Sequence, residues 1–258
     1  MGGVSGAMLA ALTVEHRVRP VSVERLDAYV RRWAKSLLRL LHVDIEVDAP
    51  AGVFEKGGGP RLVVANHRST VDILLMLHLF GGNLLARGDM AHWPAIGVMA
   101  RRAGTLFVDR QDPASGAAAV QSMRERFRRG ITVCVFPEGT TFPGDEVREF
   151  QAGAFVAIAR EKGLITPAGI AYETPDAIYG DEPVGDHMKR VAKSPSIRVA
   201  VAVGAPFSAA GAGVRSLAER ARGEVQALVR RARSTVGDRK STRLNSSHWI
   251  TSRMPSSA

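Results

Sequence analysis

The chain has 258 residues, which on a scale of about 150 residues per domain makes one large domain or two small ones. With 45% apolar and 23% charged residues and one cysteine, Cys134, the composition excludes wholesale disorder, fibrous repeats, a disulfide framework and a thiolate zinc cluster. Lys plus Arg at 35 against Asp plus Glu at 25 give a net charge of +10, which points to an anionic partner: nucleic acid, an anionic membrane surface or a phosphorylated substrate.

Residues 1–21 read as an N-terminal extension without the basic start and long apolar middle of a secretion signal. Over 22–41, Leu26, Tyr29, Val30, Trp33, Leu37, Leu40 and Leu41 recur at helical spacing, and Arg25, Arg31, Arg32, Lys35 and Arg39 supply the remaining surface. That is an amphipathic helix whose composition also suits an interfacial position on an anionic bilayer. A domain follows over 42–240. Alternating Val43, Ile45 and Val47 predict a strand, and apolar runs predict buried strands at Arg61 to Ala65, Thr105 to Val108, Ile131 to Phe136, Leu164 to Ala171 and Ile197 to Val203.

Helices fall between the strands. Asp112 with Pro113 opens one that Gly130 ends, Pro94 opens another before Gly104, and Gly163 and Gly237 are placed to end helices beginning near Ala152 and Val214. The alternation predicts a single α/β domain with a mixed, mostly parallel sheet flanked by helices. The uncharged stretch from Ile73 to Ala86 is too short to span a bilayer and is broken by Gly81 and Gly82. From 241 to 258 the composition shifts to Ser, Thr and Asn without periodicity, in the manner of translated cloning or adapter sequence, so this tail is set apart from the fold. It carries Arg243 and Arg253 and no acid, and +10 minus 2 leaves +8.

Three polar clusters each read as directly following an apolar strand run: Asn66 to Asp72, Gly104 to Arg110, and Phe136 to Thr140. If the strands are parallel, the clusters converge on one carboxyl edge, where open α/β sheets bind ligands. His67 and Asp72 stand five residues apart, which a continuous helix would separate by about 140°. They can pair if His67 lies in the turn before the helix and Asp72 in its first turn, with Ser69 as the cap. Asp72 would then orient one ring nitrogen and leave the other basic. Ser69-x-x-Asp72 also reads as a capping box, a purely structural use of the same residues. His16, His42, His78, His92 and His187 have no metal-ligand spacing and read as packing or surface. Cys134 reads as inert core.

NHRSTVD, then GTLFVDR, then FPEGTT resemble, in that order, the motifs of the glycerolipid acyltransferase family, the lysophosphatidic acid acyltransferases in particular. A fourth, weaker element is ITPAGI. The resemblance implies catalysis by His67 and Asp72, acceptor binding by Gly104, Phe107, Arg110, Phe136, Pro137, Glu138 and Gly139, and Pro167 as the fourth-motif proline. It implies O-acyl transfer from acyl-CoA or acyl carrier protein to a lysophospholipid, foremost 1-acylglycerol 3-phosphate, with no metal and no cofactor beyond the thioester. Backbone amides at the start of the helix after His67 are candidate oxyanion donors. Glu138 is expected to accept from an acceptor hydroxyl or to hold an arginine. Thr141 and Phe142 stand where relatives carry Arg-Ser, and Arg87 where lysine is expected, so another acceptor such as lyso-ornithine lipid is the rival reading. A non-catalytic basic binding module is the other. No base-reading motif supports a nucleic-acid partner, and the implied location is cytoplasmic, peripheral at the inner membrane face.

Overall fold

The computed structural model describes residues 22–55, 57, 59–92, 96–109 and 111–243; the segment 1–21, Pro94, Arg110 and 244–258 lie outside the described residues. Among the described residues eight strands make one sheet: β1 (Val43–Asp48), β2 (Arg61–Ala65), β3 (Asn83–Arg87), β4 (Leu106–Val108), β5 (Val133–Val135), β6 (Leu164–Tyr172), β7 (Ile197–Val203) and β8 (Phe207–Ser208). Their order is β1-β7-β6-β2-β5-β3-β4, with β8 beside β6. From β6 to β4 every pairing is parallel, while β7 and β8 run antiparallel to β6, and β1 follows β7 in parallel. The sheet is therefore mixed and mostly parallel.

The helices are α1 (Val23–Leu40), α2 (Val71–Leu79), α3 (Ile96–Arg102), α4 (Pro113–Arg128), α5 (Gly153–Arg160), α6 (Val184–Lys193) and α7 (Val214–Arg243). One core layer packs α1, α2 and α6 on the sheet, and the other packs α4, α5 and α7 on the opposite face. Covering both faces is what lets β2, β5 and β6 consist almost wholly of apolar residues.

Several sequence expectations are corrected. β3 was not anticipated, because α2 and β3 form one apolar stretch with no amphipathic period; Gly81 and Gly82, both at positive φ, make the break. A Cβ on Gly82 would lie 2.1 Å from the Thr132 carbonyl oxygen. At the end of α5 the left-handed position falls on Lys162, not Gly163, where a Cβ would lie 2.5 Å from the carbonyl oxygen of Pro60. Gly237 does not end its helix, since α7 runs on to Arg243. Arg31 is no surface residue: paired with Asp27, it reaches across to the carbonyls of His78, Leu79 and Phe80 and so caps the C-terminus of α2.

Pro167 sits inside β6, where a missing N–H would ordinarily break a ladder. On that side β8 pairs with residues 164 and 165 and β7 with 168 to 172, so Pro167 falls in the gap between two partners. Its carbonyl still accepts from Gly204 N at 2.9 Å.

Candidate active site

β2 lies between β5 and β6 and is parallel to both, so the chain leaves β2 at Asn66 beside the exit of β5 at Phe136. Asn66 extends the sheet with its side chain. Its amide donates to the Ile170 carbonyl and accepts from Ile170 N, which replaces two ladder bonds while the backbone turns away.

The next five residues wrap around Asp72, whose side chain is fully buried. Asp72 Oδ2 lies 2.9 Å from His67 Nδ1 and accepts from Arg68 N at 2.6 Å and Ser69 N at 2.8 Å. Oδ1 accepts from the Tyr172 hydroxyl at 2.6 Å. Meanwhile Ser69 Oγ accepts from Val71 N. Only the carboxylate half of the expected capping box forms: Asp72 bonds the Ser69 amide and the ring together, while the N-cap is Thr70, not Ser69, and makes no side-chain cap bond.

With Nδ1 held by a carboxylate, Nε2 is the basic nitrogen, and no described residue bonds to it. The His67 side chain keeps 17% of its surface exposed, enough for a substrate hydroxyl to approach. Its ring stacks on Phe136, centroids 4.0 Å apart and planes 11° apart. Phe136 therefore supports the ring's second face.

Arg68 was not singled out by sequence reasoning. It is buried, and its guanidinium donates to Glu138 Oε1, to the His67 carbonyl and to the carbonyls of Gly144 and Glu146. Glu138 also accepts from His67 N and Arg148 N, and its carboxylate is enclosed, so it holds an arginine and two backbone amides and does not face a substrate hydroxyl. Gly139 is at positive φ, as a turn after Pro137 requires, and Pro137 is buried with its carbonyl bonded to Gln151 N.

The second cluster is split by its own strand. Gly104 precedes β4 and lies at the amino edge, away from His67, where it ends α3 with paired bonds from Gly104 N to Arg101 and Thr105 N to Ala100. A Cβ there would lie 2.4 Å from Asn83 Nδ2, which explains the glycine without a ligand. Phe107 is half-buried in β4, three strands and roughly 14 Å from β2. Arg110 lies outside the described residues.

The expected oxyanion donors are already engaged. The amides of Arg68 and Ser69 serve Asp72, Val71 N serves Ser69 Oγ, and Thr70 N faces His187 Nε2 at 3.4 Å. His187 is itself fully buried, with Glu182 and Arg190 at Nδ1. Burial, aided by the Arg190 charge, lowers its pKa and keeps it a neutral acceptor.

An acyltransferase family model matches residues 42–171, from the start of β1 to the penultimate residue of β6, and takes in the whole His67–Asp72 turn. The chain belongs to the acyltransferase family. The lyso-ornithine lipid O-acyltransferase of Pseudomonas aeruginosa is 31% identical over 203 residues, 76% of each chain. The 1-acyl-sn-glycerol-3-phosphate acyltransferase of Neisseria gonorrhoeae is 32% identical over 121 residues, which are 47% of this chain and 46% of that one. The crystal structure of the 1-acyl-sn-glycerophosphate acyltransferase PlsC from Thermotoga maritima superposes with a TM-score of 0.66 over 94% of this chain and 90% of that one, at 18% identity. This acyltransferase thus shares its fold with PlsC. Among its described residues no helix is long and apolar enough to cross a membrane.

Proposed function

We propose that this acyltransferase moves a fatty acyl group from a thioester of coenzyme A or acyl carrier protein to the free hydroxyl of a lyso-lipid, foremost 1-acylglycerol 3-phosphate. The observation that carries the reading is the His67–Asp72 pair, with Nδ1 fixed and Nε2 at an accessible ring. An alcohol is a weak nucleophile at neutral pH, and a base worth roughly 10²- to 10⁴-fold is what such a transfer needs. His67 Nε2 takes the hydroxyl proton as the oxygen attacks the thioester carbonyl. The tetrahedral intermediate then collapses, the C–S bond breaks, and the same proton passes to the departing thiolate. No acyl-enzyme is required.

Because the first turn of α2 has no amide left to offer, the oxyanion is stabilised from the neighbouring turn. Thr140 N and Thr141 N have no acceptor among the described residues and lie between Gly139 and Phe142, whose amide bonds the His67 carbonyl. Phe107, on the β4 edge, and the motif residue Arg110 contact the acceptor. Access to lipid comes through peripheral contact with the anionic inner face of the membrane, on the cytoplasmic side. The apolar stripe of α1 is committed to the core at Val30, Ala34, Leu37 and Leu38, so the contact uses its outer face, where Arg32, Lys35, Arg39 and Leu40 are exposed.

Lyso-ornithine lipid is the second reading. The long alignment with the Pseudomonas protein favours it, as do Thr141 and Phe142 in place of Arg-Ser. Purified protein given acyl-CoA and a panel of lyso-lipids, with products identified by mass spectrometry, decides between them. A product from lyso-ornithine lipid alone would overturn the phosphate acceptor, and full turnover by a folded His67→Ala variant would overturn the mechanism.

A further inference from the structure

Tyr172 closes β6, one residue past the span matched by the family model, and its side chain is 2% exposed. Around Asp72 the two carboxylate oxygens are treated differently. Oδ2 faces His67 and accepts from two amides of its own turn; Oδ1 has one bonding partner among the described residues, a hydroxyl that comes from a strand 100 residues further on. We propose that Tyr172 is a positioning residue for acyl transfer that acts through Asp72, fixing the rotation of the carboxylate and the strength with which the His67–Asp72 pair holds a proton. The inference rests on the reading of His67 as the base.

The terminal torsion of an aspartate is broad and roughly two-fold, so backbone and χ1 alone do not fix the plane of its oxygens. Two amides at Oδ2 hold one oxygen, and a hydroxyl at Oδ1 restrains the same torsion from the other oxygen. The donor is dependable. Burial, and then the Asp72 charge beside it, push the Tyr172 phenol well above its usual range, so it keeps its proton across the working pH. The Tyr172 backbone is anchored too, paired with Val199 of β7, with its carbonyl accepting from Arg233. Arg233 also holds Asp145 through two bonds of 2.7 Å, on the segment whose neighbours Gly144 and Glu146 accept from Arg68.

The charged and titratable groups around the pair are few. Glu138 and Arg68 form a buried ion pair against the His67 backbone, and His187 with Glu182 and Arg190 stands behind Ser69 and Thr70. Among the described residues, His67 and Tyr172 are the titratable side chains that bond the Asp72 carboxylate.

The test is steady-state kinetics and pH profiles of Tyr172→Phe beside His67→Ala and Asp72→Asn, on acyl-CoA and the acceptor found to turn over. A hydrogen bond to a charged group is large enough that kcat is expected to fall about tenfold, with both KM values changed by less than about twofold. The acid limb of kcat/KM is expected to move up by about one pH unit, because a carboxylate that has lost a donor lets the pair bind its proton more tightly. In the Asp72→Asn background the Phe substitution should cost nothing further. Wild-type kcat with an unmoved acid limb, or an equal loss in both backgrounds, overturns the proposal.

Should Tyr172→Phe not fold, 3-fluorotyrosine can be placed at 172 alone in a Tyr29→Phe/Tyr179→Phe chain. The more acidic phenol should shift the acid limb down, and an unmoved limb overturns the proposal. Active His67→Ala removes the base reading and this inference with it. Inactive His67→Ala beside wild-type-like Tyr172→Phe removes the role of Tyr172 alone.

Discussion

The turn after β2 and the segment around β4 carry two of the three sequence motifs, yet they are built in opposite ways. After β2 nearly every polar group is answered inside the protein: Asn66 by β6, Arg68 by Glu138 and three carbonyls, Asp72 by two amides, an imidazole and a phenol. Around β4 the chain runs along the sheet edge. Phe107 is half-buried, and Asp109 and Gln111 bond mainly to neighbours within a few residues. A proton transfer needs its groups held within a fraction of an ångström, which only a buried and fully answered polar network supplies. Recognition of a headgroup tolerates a looser edge, and on the proposed function the β4 edge is where acceptor preference can change without disturbing the chemistry.

The sharpest way to break this comparison is to remove one residue from each region. His67→Ala is expected to lower kcat by roughly 10²- to 10⁴-fold with far-ultraviolet circular dichroism unchanged. Phe107→Ala, by contrast, should raise the acceptor KM several-fold, by about 1 kcal/mol of lost contact, and leave kcat near wild type. If Phe107→Ala lowers kcat as deeply as His67→Ala, the division between chemistry and recognition fails.

Arg68 and Glu138 sharpen the point about polar answers. Their side chains are 3% and 0% exposed, so Arg68→Met strands a carboxylate in the interior and should lower stability by about 3 kcal/mol or more, read by thermal or urea unfolding. Removing both, as Arg68→Met/Glu138→Leu, should recover much of that loss, because no unpaired charge remains. Activity should not return, since the His67 amide has lost its acceptor and the His67 carbonyl one of its two donors, Phe142 N being the one that remains. A double variant as unstable as the single one would show that the pair contributes through packing rather than charge.

How far the sequence could be read follows from the range of the interactions. The His67–Asp72 pair was legible because five residues and a helix start suffice to bring the groups together. The strands β2 and β7 were legible to the residue because apolar runs between breakers mark buried strands. β3 is hidden, since α2 and β3 share one apolar composition with neither a helical nor an alternating period to separate them. Glu138 was left with two readings that only the position of Arg68, 70 residues away, separates. Gly104 was assigned with its motif, but the strand inside that motif carries it to the far edge of the sheet. Tyr172 and His187 had no local signal at all: one is an apolar-strand aromatic and the other a helix histidine until the fold brings each against the turn at Ser69 to Asp72.

The smallest expected effect concerns the support behind that turn. His187 and His78 both have pKa values lowered from the ordinary 6.5, His187 by burial and then the Arg190 charge, His78 by burial and then Lys35, Arg31 and Arg39. Each is held neutral in the fold and takes up a proton more readily once unfolded. Between the folded and unfolded pKa values the unfolded chain therefore binds more protons, so stability is fully present above about pH 6.5 and declines as the pH falls below it. Glu161 and Glu182, with pKa values lowered from 4.5 mainly by the arginines beside them, act in a separate and more acidic window. The melting temperature should thus be level between about pH 7 and 8 and fall between about pH 6.5 and 5, with a shallower fall in His187→Gln. A protonated His187 could no longer accept from Thr70 N, so the same window should loosen the first turn of α2, which carries Asp72. A melting temperature that stays level to pH 5, or an unchanged slope in His187→Gln, would mean that this buried histidine fills space behind the site without supporting it.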